Sequence, residues 1–357
     1  MSRFHALTVS DIERTTDDCA VVTLQVPEGK QADFRFKQGQ YLTLKTNINE
    51  AEIRRTYSLC SSPLDDKWSV AIKQIDGGLF STFANTKLQV GDQLEAMPPA
   101  GDFYVEVDPT KARNYIAFAA GSGITPILSI IKTHLSAEPN STFQLFYVNR
   151  TVSSIILKEE IDALKNIFLE RLEIFHFLTR EHRNIPLLNG RIDQEKLQDI
   201  FGSICQVDAV DHCFICGPKE MIFLVRDELE AAGLSRKNIH YELFYAGDAD
   251  GTPAKPAKPV ANKAVGAAVT IIDGGKEFHL TMGAVHDNIL DAALAAGADL
   301  PFACKGGVCS TCKCKVLEGA VEMKKNYALE EKEVANNFVL SCQAVPTSSY
   351  VKVDFDV

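Results

Sequence analysis

Four cysteines near the C-terminus have the spacing of an iron–sulfur site. Cys304, Cys309 and Cys312 lie in one loop with the pattern C-x4-C-x2-C, and Cys342 follows after twenty-nine further residues. This spacing is typical of a [2Fe–2S] cluster, whose two iron atoms together need four thiolates. Zinc sites instead prefer two C-x2-C pairs, and disulfide scaffolds are small, secreted and cysteine-dense. The pattern therefore predicts a centre that carries one electron at a time.

A strand-like run in the N-terminal part holds the side-chain types that a flavin uses: Arg55, Thr56, Tyr57 and Ser58. Strand alternation puts the arginine and the tyrosine on one face, and the threonine and the serine on the other. An aromatic ring, a hydroxyl and a cation suit the flavin ring, a ring nitrogen and a phosphate, respectively. Gly78 and Ser81 lie where a helix could begin, with N–H groups free to cap a phosphate. The run alone is also compatible with an ordinary strand. The prediction of a flavin site therefore depends on the order of these two motifs before a nucleotide-binding unit.

A glycine-containing turn follows an apolar strand and precedes a helix with apolar periodicity. It reads GSGITP, in which Gly121 and Gly123 allow the backbone to approach a phosphate closely. Thr125 can cap the helix, and Pro126 suits its first turn. The turn meets the G-x-G-x-x-G pattern only in part, and it predicts a dinucleotide-binding domain.

Positions after the next strands bear on the choice between NADPH and NADH. An acidic residue there would suit a ribose hydroxyl, but the chain has Asn149 and Arg150, and Arg180 follows the next strand. Guanidinium groups suit a 2′-phosphate, so NADPH is favoured; the alternative is that both arginines are solvated surface residues. Cys216 and Gly217 end a later strand, at the rim where a thiol could touch a nicotinamide ring.

Bulk properties narrow the class of protein. The chain has 357 residues, enough for two or three domains with their own cores. Its net charge of −10 argues against nucleic acid as a partner. No apolar run has the length of a membrane span, and the N-terminus lacks the apolar stretch of a signal peptide. Ten cysteines without an export signal fit a reducing cytoplasm.

The secondary-structure pattern changes along the chain. Short strand-like runs separated by turn residues predict an antiparallel barrel in the first part: 20–26, 40–45, 68–74 and 102–107. From about residue 109, strands alternate with helices, which predicts a doubly wound parallel sheet. Residues 247–263 contain several prolines, alanines and glycines and predict a linker, after which a compact unit carries the cysteine loop.

With its motifs in this order, the chain resembles the ferredoxin–NADP reductase superfamily extended by a C-terminal plant-type ferredoxin, as in phthalate dioxygenase reductase-like proteins. Within it, the chain resembles the reductase subunits of multicomponent 1,2-phenylacetyl-CoA epoxidases of phenylacetate catabolism. The similarity spans essentially the whole chain and is carried by five stretches: RRTYS at 54–58, AAGSGITP at 119–126, FICGP at 214–218, ACKGGVCSTCKCK at 303–315 and VLSCQA at 339–344.

The resemblance implies a multidomain α/β and β architecture. Its expected parts are a Greek-key β-barrel for FAD at 1–108, a doubly wound NAD(P) domain at 109–246, a linker at 247–263 and a β-grasp ferredoxin domain at 264–357. FAD rather than FMN rests on the resemblance alone.

The resemblance also implies a role for each motif residue. Arg55 would contact the flavin phosphates, Tyr57 would stack on the ring, Ser58 would reach ring nitrogen N5, and Gly78 and Ser81 would hold the pyrophosphate. The expected NADPH contacts are Gly121, Gly123, Thr125 and Pro126 at the pyrophosphate, and Cys216 and Gly217 at the nicotinamide.

Glu242 and Phe244 match the place where such reductases put a carboxylate and an aromatic ring over the other face of the flavin. Their alternative interpretation is a solvated acid and a core phenylalanine. Ser58, Cys216 and Glu242 are the expected catalytic residues. The five remaining cysteines are expected to be core residues: Cys19, Cys60, Cys205, Cys213 and Cys314.

The implied function is electron transfer from NADPH to FAD, then to [2Fe–2S], then to a separate diiron oxygenase. No pair of Glu-x-x-His motifs occurs in the sequence, so oxygen activation is expected on another chain. Alternatives are a reductase for a Rieske dioxygenase, a demethylase oxygenase or a hybrid-cluster protein, or a redox sensor that binds nucleotide without turnover. Glu330, Glu331 and Glu333 would guide docking, unless they form an ordinary solvated helix face.

Overall fold

The computed structural model describes residues 3–244, 260 and 263–357. One compact unit is Phe4–Phe244, and the second contains the C-terminal residues. The first unit begins with a six-stranded antiparallel sheet in the order β4-β3-β6-β1-β2-β5. Its strands are β1 (His5–Thr16), β2 (Cys19–Gln25), β3 (Tyr41–Ile48), β4 (Ala51–Ser58), β5 (Trp68–Lys73) and β6 (Gln93–Ala96).

The sheet closes into a barrel at its two edge strands. Leu59, next to β4, forms an antiparallel bridge with Val70 of β5, and the Cys60 N–H donates to the Ser69 carbonyl at 2.9 Å. Strand β6 inserts between β3 and β1, which is a Greek-key connection. Helix α1 (Leu79–Thr86) covers the barrel and buries Phe80. The predicted antiparallel barrel is confirmed.

A five-stranded parallel sheet follows in the order β11-β10-β7-β8-β9. Its elements are β7 (Asn114–Ala120), α2 (Ile124–Ala137), β8 (Thr142–Asn149), α3 (Lys158–Ile167), β9 (Leu172–Leu178), α4 (Gln194–Ser203), β10 (His212–Gly217), α5 (Lys219–Ala231) and β11 (Ile239–Leu243). The strand order reverses between β7 and β10, and ligands of such sheets bind at the carboxyl ends beside that reversal. The predicted doubly wound sheet is confirmed.

The predicted strand at 102–107 is wrong. This segment belongs to no strand, and it connects the barrel to the parallel sheet. Side chains satisfy its backbone instead: Gln38 Nε2 donates to the Val105 carbonyl at 2.7 Å, and Arg113 donates to the Glu106 carbonyl at 3.0 Å. The alternation seen in the sequence arises because Phe103 and Val105 face the core.

The second unit contains a mixed sheet in the order β13-β12-β18-β14-β16 and a separate pair, β15 and β17. The elements are β12 (Ala268–Asp273), β13 (Lys276–Thr281), α6 (Ile289–Ala295), β14 (Lys313–Glu318), β15 (Val321–Met323), α7 (Glu331–Ala335), β16 (Phe338–Leu340), β17 (Ala344–Pro346) and β18 (Tyr350–Asp354). Strands β12 and β18 are parallel, and α6 packs its apolar side into the core. This is the ferredoxin fold expected there.

Most of the expected linker, 247–263, lies outside the described residues, of which it includes only 260 and 263. Across the part of the chain that the structure describes, no helix combines the length and apolarity needed to span a bilayer.

Candidate active site and iron–sulfur centre

The end of strand β4 presents the residues expected to hold a flavin. Arg55 is exposed and shares a strand face with the partly buried Tyr57, whose ring centroid lies 5.4 Å from that of Phe80. The neighbouring Arg54 is buried instead, because it pairs with Glu52 at 2.7 Å. The exposed arginine is therefore the cation available to an anionic ligand at this rim.

Helix α1 begins at Gly78, which is its N-cap residue. A Cβ at this position would lie 2.5 Å from the Ser81 hydroxyl oxygen, so only glycine fits without a shift. The Ser81 hydroxyl accepts from the Ile75 N–H at 3.1 Å and holds the turn that leads into the helix. The first N–H groups of the helix can thus face an anion, as the pyrophosphate role requires.

The turn after β7 is packed tightly against the end of β10. A Cβ on Gly123 would collide with the carbonyl oxygen of Cys216, and Gly121 has a left-handed φ of +52°. Helix α2 begins at Ile124, so Thr125 is not its N-cap as predicted. The Thr125 hydroxyl instead donates to the Ser122 carbonyl at 3.1 Å, while Pro126 lies in the first turn as expected.

A hydrogen bond between two expected catalytic residues joins the barrel to the parallel sheet. The Ser58 hydroxyl, at the end of β4, donates to Glu242 Oε2 on β11 at 3.1 Å. Burial raises the pKa of Glu242 to about 8, and the Ser58 bond opposes this rise only in part. A carboxyl group that is largely protonated near neutral pH therefore stands beside a hydroxyl group, and the pair can hold or pass a proton.

Cys216 is register-paired with Glu242 on one side and Ala119 on the other, so its backbone lies at the predicted rim. Its thiol, however, is fully buried, and burial raises its pKa well above the ordinary value. Phe244 is partly buried and packs against the core of the parallel-sheet domain. The strand register places Cys216 beside Glu242, but the structure leaves no open surface at the thiol.

The two arginines expected to recognise a 2′-phosphate lie side by side. The Arg180 N–H donates to the Arg150 carbonyl at 2.8 Å, just beyond the carboxyl ends of β8 and β9. Both residues are exposed, and Asn149 before them is buried. Their backbones are adjacent across neighbouring strands, and a guanidinium group at each position would suit a doubly charged phosphate.

The four cluster cysteines form two pairs. Cys309 Sγ lies 3.1 Å from Cys304 Sγ, and Cys312 and Cys342 share a hydrogen bond between their thiols. No group of three or more ligand side chains converges on one metal position within the described residues. Two pairs of thiols suit two iron atoms that each take two thiolates, so the residues fit a [2Fe–2S] cluster. Among the four, only Cys304 is partly exposed.

One thiol of each pair, Cys304 or Cys342, has a lowered pKa, whereas the pKa of its partner, Cys309 or Cys312, is raised. The hydrogen bond from the Cys309 thiol lowers the pKa of Cys304, and backbone N–H groups such as that of Gly306 lower it further. Gly307 has a left-handed φ of +77°, and a Cβ there would approach Gln343 and Lys325 to 3.2 Å. Of the two loop glycines, only this one is crowded.

Sequence reasoning missed Gln343, which follows the fourth ligand. Its Nε2 donates to the Lys305 carbonyl at 2.9 Å and lies 3.5 Å from Cys342 Sγ, so it ties the cysteine loop to the last ligand. Its position next to a ligand was the only signal in the sequence. The five remaining cysteines are buried as predicted.

The acidic cluster predicted to steer docking is largely used within α7. Glu330 and Glu333 form a reciprocal capping box at the start of this helix. Glu333 also accepts from Lys313 Nζ at 3.1 Å, and Glu330 pairs with Lys332 at 2.7 Å. These local contacts agree with the alternative, an ordinary solvated helix face, and the docking role stays a prediction.

Family models match all three parts of the chain. An oxidoreductase FAD-binding domain matches residues 6–104, an oxidoreductase NAD-binding domain matches 118–246, and a 2Fe-2S iron-sulfur cluster binding domain matches 271–347. These ranges contain the barrel, the parallel sheet and the cysteine loop, respectively.

Relatives of known name match the chain over nearly their whole length. The chain is 44% identical to a subunit of 1,2-phenylacetyl-CoA epoxidase of Escherichia coli, over 100% of this chain and 99% of that one. It is 32% identical to the ferredoxin reductase component of 3-ketosteroid-9-alpha-monooxygenase of Rhodococcus rhodochrous, over 99% and 97% of the two chains. The solved structure of phthalate dioxygenase reductase matches 99% of this chain and 98% of its own with a TM-score of 0.61 at 22% identity, and it supports the fold.

Three features define the class: the barrel, the glycine turn where the strand order of the parallel sheet reverses, and the two thiol pairs. The protein is an NAD(P)H oxidoreductase that passes electrons through FAD to a [2Fe–2S] cluster. Within this class, the chain belongs to the family of ferredoxin–NADP reductase-type proteins that includes the 1,2-phenylacetyl-CoA epoxidase component of Escherichia coli.

Proposed function

We propose that this chain is the NADPH-dependent reductase of a multicomponent oxygenase, and that its acceptor is a diiron oxygenase that epoxidises the ring of phenylacetyl-CoA. The observation that carries the acceptor is the 44% identity, over the whole chain, to a component of 1,2-phenylacetyl-CoA epoxidase. The site itself supports the reductase chemistry. An oxygenase partner also agrees with the names of more distant relatives, which are reductase components of monooxygenases.

The chain's own residues would bind and orient the flavin and would hold a proton beside it. Arg55 and the start of α1 would hold the flavin phosphates, and Tyr57 would pack on the ring. The Ser58 hydroxyl would face the ring nitrogen that receives the hydride, and Glu242, with its pKa near 8, would hold a proton next to that hydroxyl. When bound, the flavin accepts two electrons together and releases them one at a time.

The nucleotide would bind at the reversal of the parallel sheet. Gly121 and Gly123 would admit the pyrophosphate, and Arg150 and Arg180 would pair with the 2′-phosphate of NADPH. Cys216 would require a small movement before its thiol could touch the nicotinamide, because the thiol is fully buried. The Gly217 backbone, one residue further, is more accessible.

Anaerobic mixing with NADPH tests the reductase function. The flavin absorbance should bleach within seconds, and the cluster absorbance should follow. Binding of NADPH without bleaching would instead support a redox sensor. The acceptor is tested by NADPH-driven oxygen uptake with candidate oxygenase components and phenylacetyl-CoA. Oxygen uptake with the oxygenase components of a 3-ketosteroid monooxygenase or a Rieske dioxygenase would instead support the second candidate, a reductase for another oxygenase. The 32% identical relative favours that candidate.

A further inference from the structure

A buried carboxylate lies at the far end of helix α2 from the pyrophosphate turn. Glu138 follows the last residue of this helix and is fully buried. Its Oε2 accepts from the Tyr115 hydroxyl at 2.9 Å and the Ser141 hydroxyl at 2.8 Å. Its Oε1 accepts from the Asp108 N–H at 3.0 Å and from Arg113 at 3.3 Å. A buried charge with this many donors is held in one position.

A histidine links this carboxylate to the barrel. His134 Nδ1 lies 3.2 Å from Glu138 Oε1, and its Nε2 lies 3.3 Å from Gln38 Nε2. Because an amide nitrogen only donates, Nε2 must accept and Nδ1 must carry the proton. Burial lowers the pKa of His134, which agrees with this neutral form. Gln38 precedes β3 and also donates to the Val105 carbonyl at 2.7 Å, so the chain of bonds joins barrel, connecting segment and helix.

Helix α2 is also attached to the barrel part along the loop at 61–65. Ser129 donates to the Ser61 carbonyl at 2.6 Å, and Thr133 and Ser62 share a hydrogen bond of 2.8 Å. Lys132 pairs with Asp65 of the same loop at 3.3 Å. If this loop alone held the helix to the barrel, the helix could tilt about it together with the parallel sheet, to which Arg171 ties its end through the Leu135 carbonyl at 2.9 Å. The helix start lies roughly 8 Å from Ser129 at 1.5 Å per residue, so a tilt of about 7° would move the pyrophosphate turn by ~1 Å.

We propose that Gln38, His134 and Glu138 are positioning residues for hydride transfer. By fixing the far end of α2 to the barrel, they hold the nucleotide turn at the correct distance from the flavin rim. This inference rests on the proposed reductase function. None of the three is among the residues predicted to hold a cofactor, so they would act through the orientation of the helix. A displacement of ~1 Å can slow a reaction by up to about 100-fold.

Gln38→Met tests the link, because methionine keeps the length of the side chain and removes both N–H donors. His134→Phe removes the same bond from the helix side and keeps an aromatic ring at the place where His134 lies 4.5 Å from the Tyr115 ring. Ser141→Ala is the matched control, since it deletes the 2.8 Å bond to the same carboxylate and the 2.9 Å bond from the Arg113 N–H without touching the barrel. Rapid-mixing absorbance would give the flavin reduction rate at saturating NADPH, and titration with NADP⁺ would give affinity.

Gln38→Met and His134→Phe should each slow flavin reduction by about 10- to 100-fold at saturating NADPH. NADP⁺ affinity and flavin content should stay within about twofold, because the contact residues are unchanged. Ser141→Ala should lower the unfolding temperature and leave the rate constant near that of the wild type. Wild-type rates in both link variants, or equal slowing in the control, would overturn the proposal. If Gln38→Met or His134→Phe loses flavin, the flavin reduction rate of the other variant decides between these outcomes. Absence of flavin reduction in the wild type would refute the proposed function itself.

Discussion

Glu242 should be protonated in the folded protein at neutral pH, and this can be tested directly. The pKa of this carboxyl rises from 4.5 to about 8, mainly through burial. The bond from Ser58, at 3.1 Å, stabilises the charged form and limits the rise. Replacement of Glu242 with glutamine keeps the size of the group and fixes it in a neutral state.

The raised pKa has a definite consequence for stability. The folded state binds the proton more tightly than the unfolded state, so this contribution is fully present below about pH 4.5 and is lost as pH rises through 8. The difference between these pKa values corresponds to at most about 5 kcal/mol. Because Glu242 remains partly exposed, solvent reduces the expected contribution to the order of 2–3 kcal/mol. Relative to Glu242→Gln, the wild type should therefore become less stable between pH 5 and 8.

Carboxyl-carbon NMR of glutamate-labelled protein gives the pKa itself. One resonance, absent from Glu242→Gln, should titrate with a midpoint near 8. Ser58→Ala removes the bond that favours the charged form, so it should move this midpoint to higher pH. Urea unfolding of wild type and Glu242→Gln at several pH values measures the stability difference. A midpoint near the ordinary glutamate value, or unfolding curves that stay parallel across pH, would refute the reasoning.

Three further outcomes are expected. Cys342→Ser should abolish the [2Fe–2S] spectrum but leave NADPH-to-ferricyanide transfer through the flavin, whereas Cys314→Ser, at a buried cysteine outside the two thiol pairs, should keep the cluster. Arg150→Ala and Arg180→Ala should each raise the KM for NADPH about tenfold or more and leave that for NADH unchanged in steady-state assays, because each deletes a charged hydrogen-bond donor. Gly123→Ala should weaken NADP⁺ binding in titrations, since its Cβ would collide with the Cys216 carbonyl.

Local patterns predicted the three cofactor-binding domains because each motif depends on residues close together in sequence. The spacing of Cys304, Cys309 and Cys312 is set by one loop, and the glycines of the GSGITP turn are required by local backbone geometry. The same locality explains the error at 102–107. Alternation reports which side chains face a core, but a strand also needs a neighbour, and the neighbours of this segment are side chains.

Contacts between distant positions could not be found in this way. The Ser58–Glu242 bond joins residues 184 positions apart, and the Gln38–His134 bond joins residues 96 positions apart. No local pattern marks either pair, and Glu242 was identified only through resemblance to a family. Thr125 shows a smaller limit of prediction from sequence. A hydroxyl near a helix start can cap the helix or, as here, donate back to the preceding turn.

The position of Glu242 follows from strand register rather than from local attraction. Strand β11 pairs in parallel with β10, so that Cys216 stands opposite Glu242 at the carboxyl end of the sheet. Side chains alternate along a strand, and a slip of one residue would replace Glu242 with its neighbour Tyr241 or Leu243 on the face towards Ser58. Ile239 and Leu243 oppose such a slip, because both are buried and would have to leave the other face of the sheet. The burial of apolar residues in this edge strand thus fixes the position of Glu242, although those residues take no part in its proton chemistry.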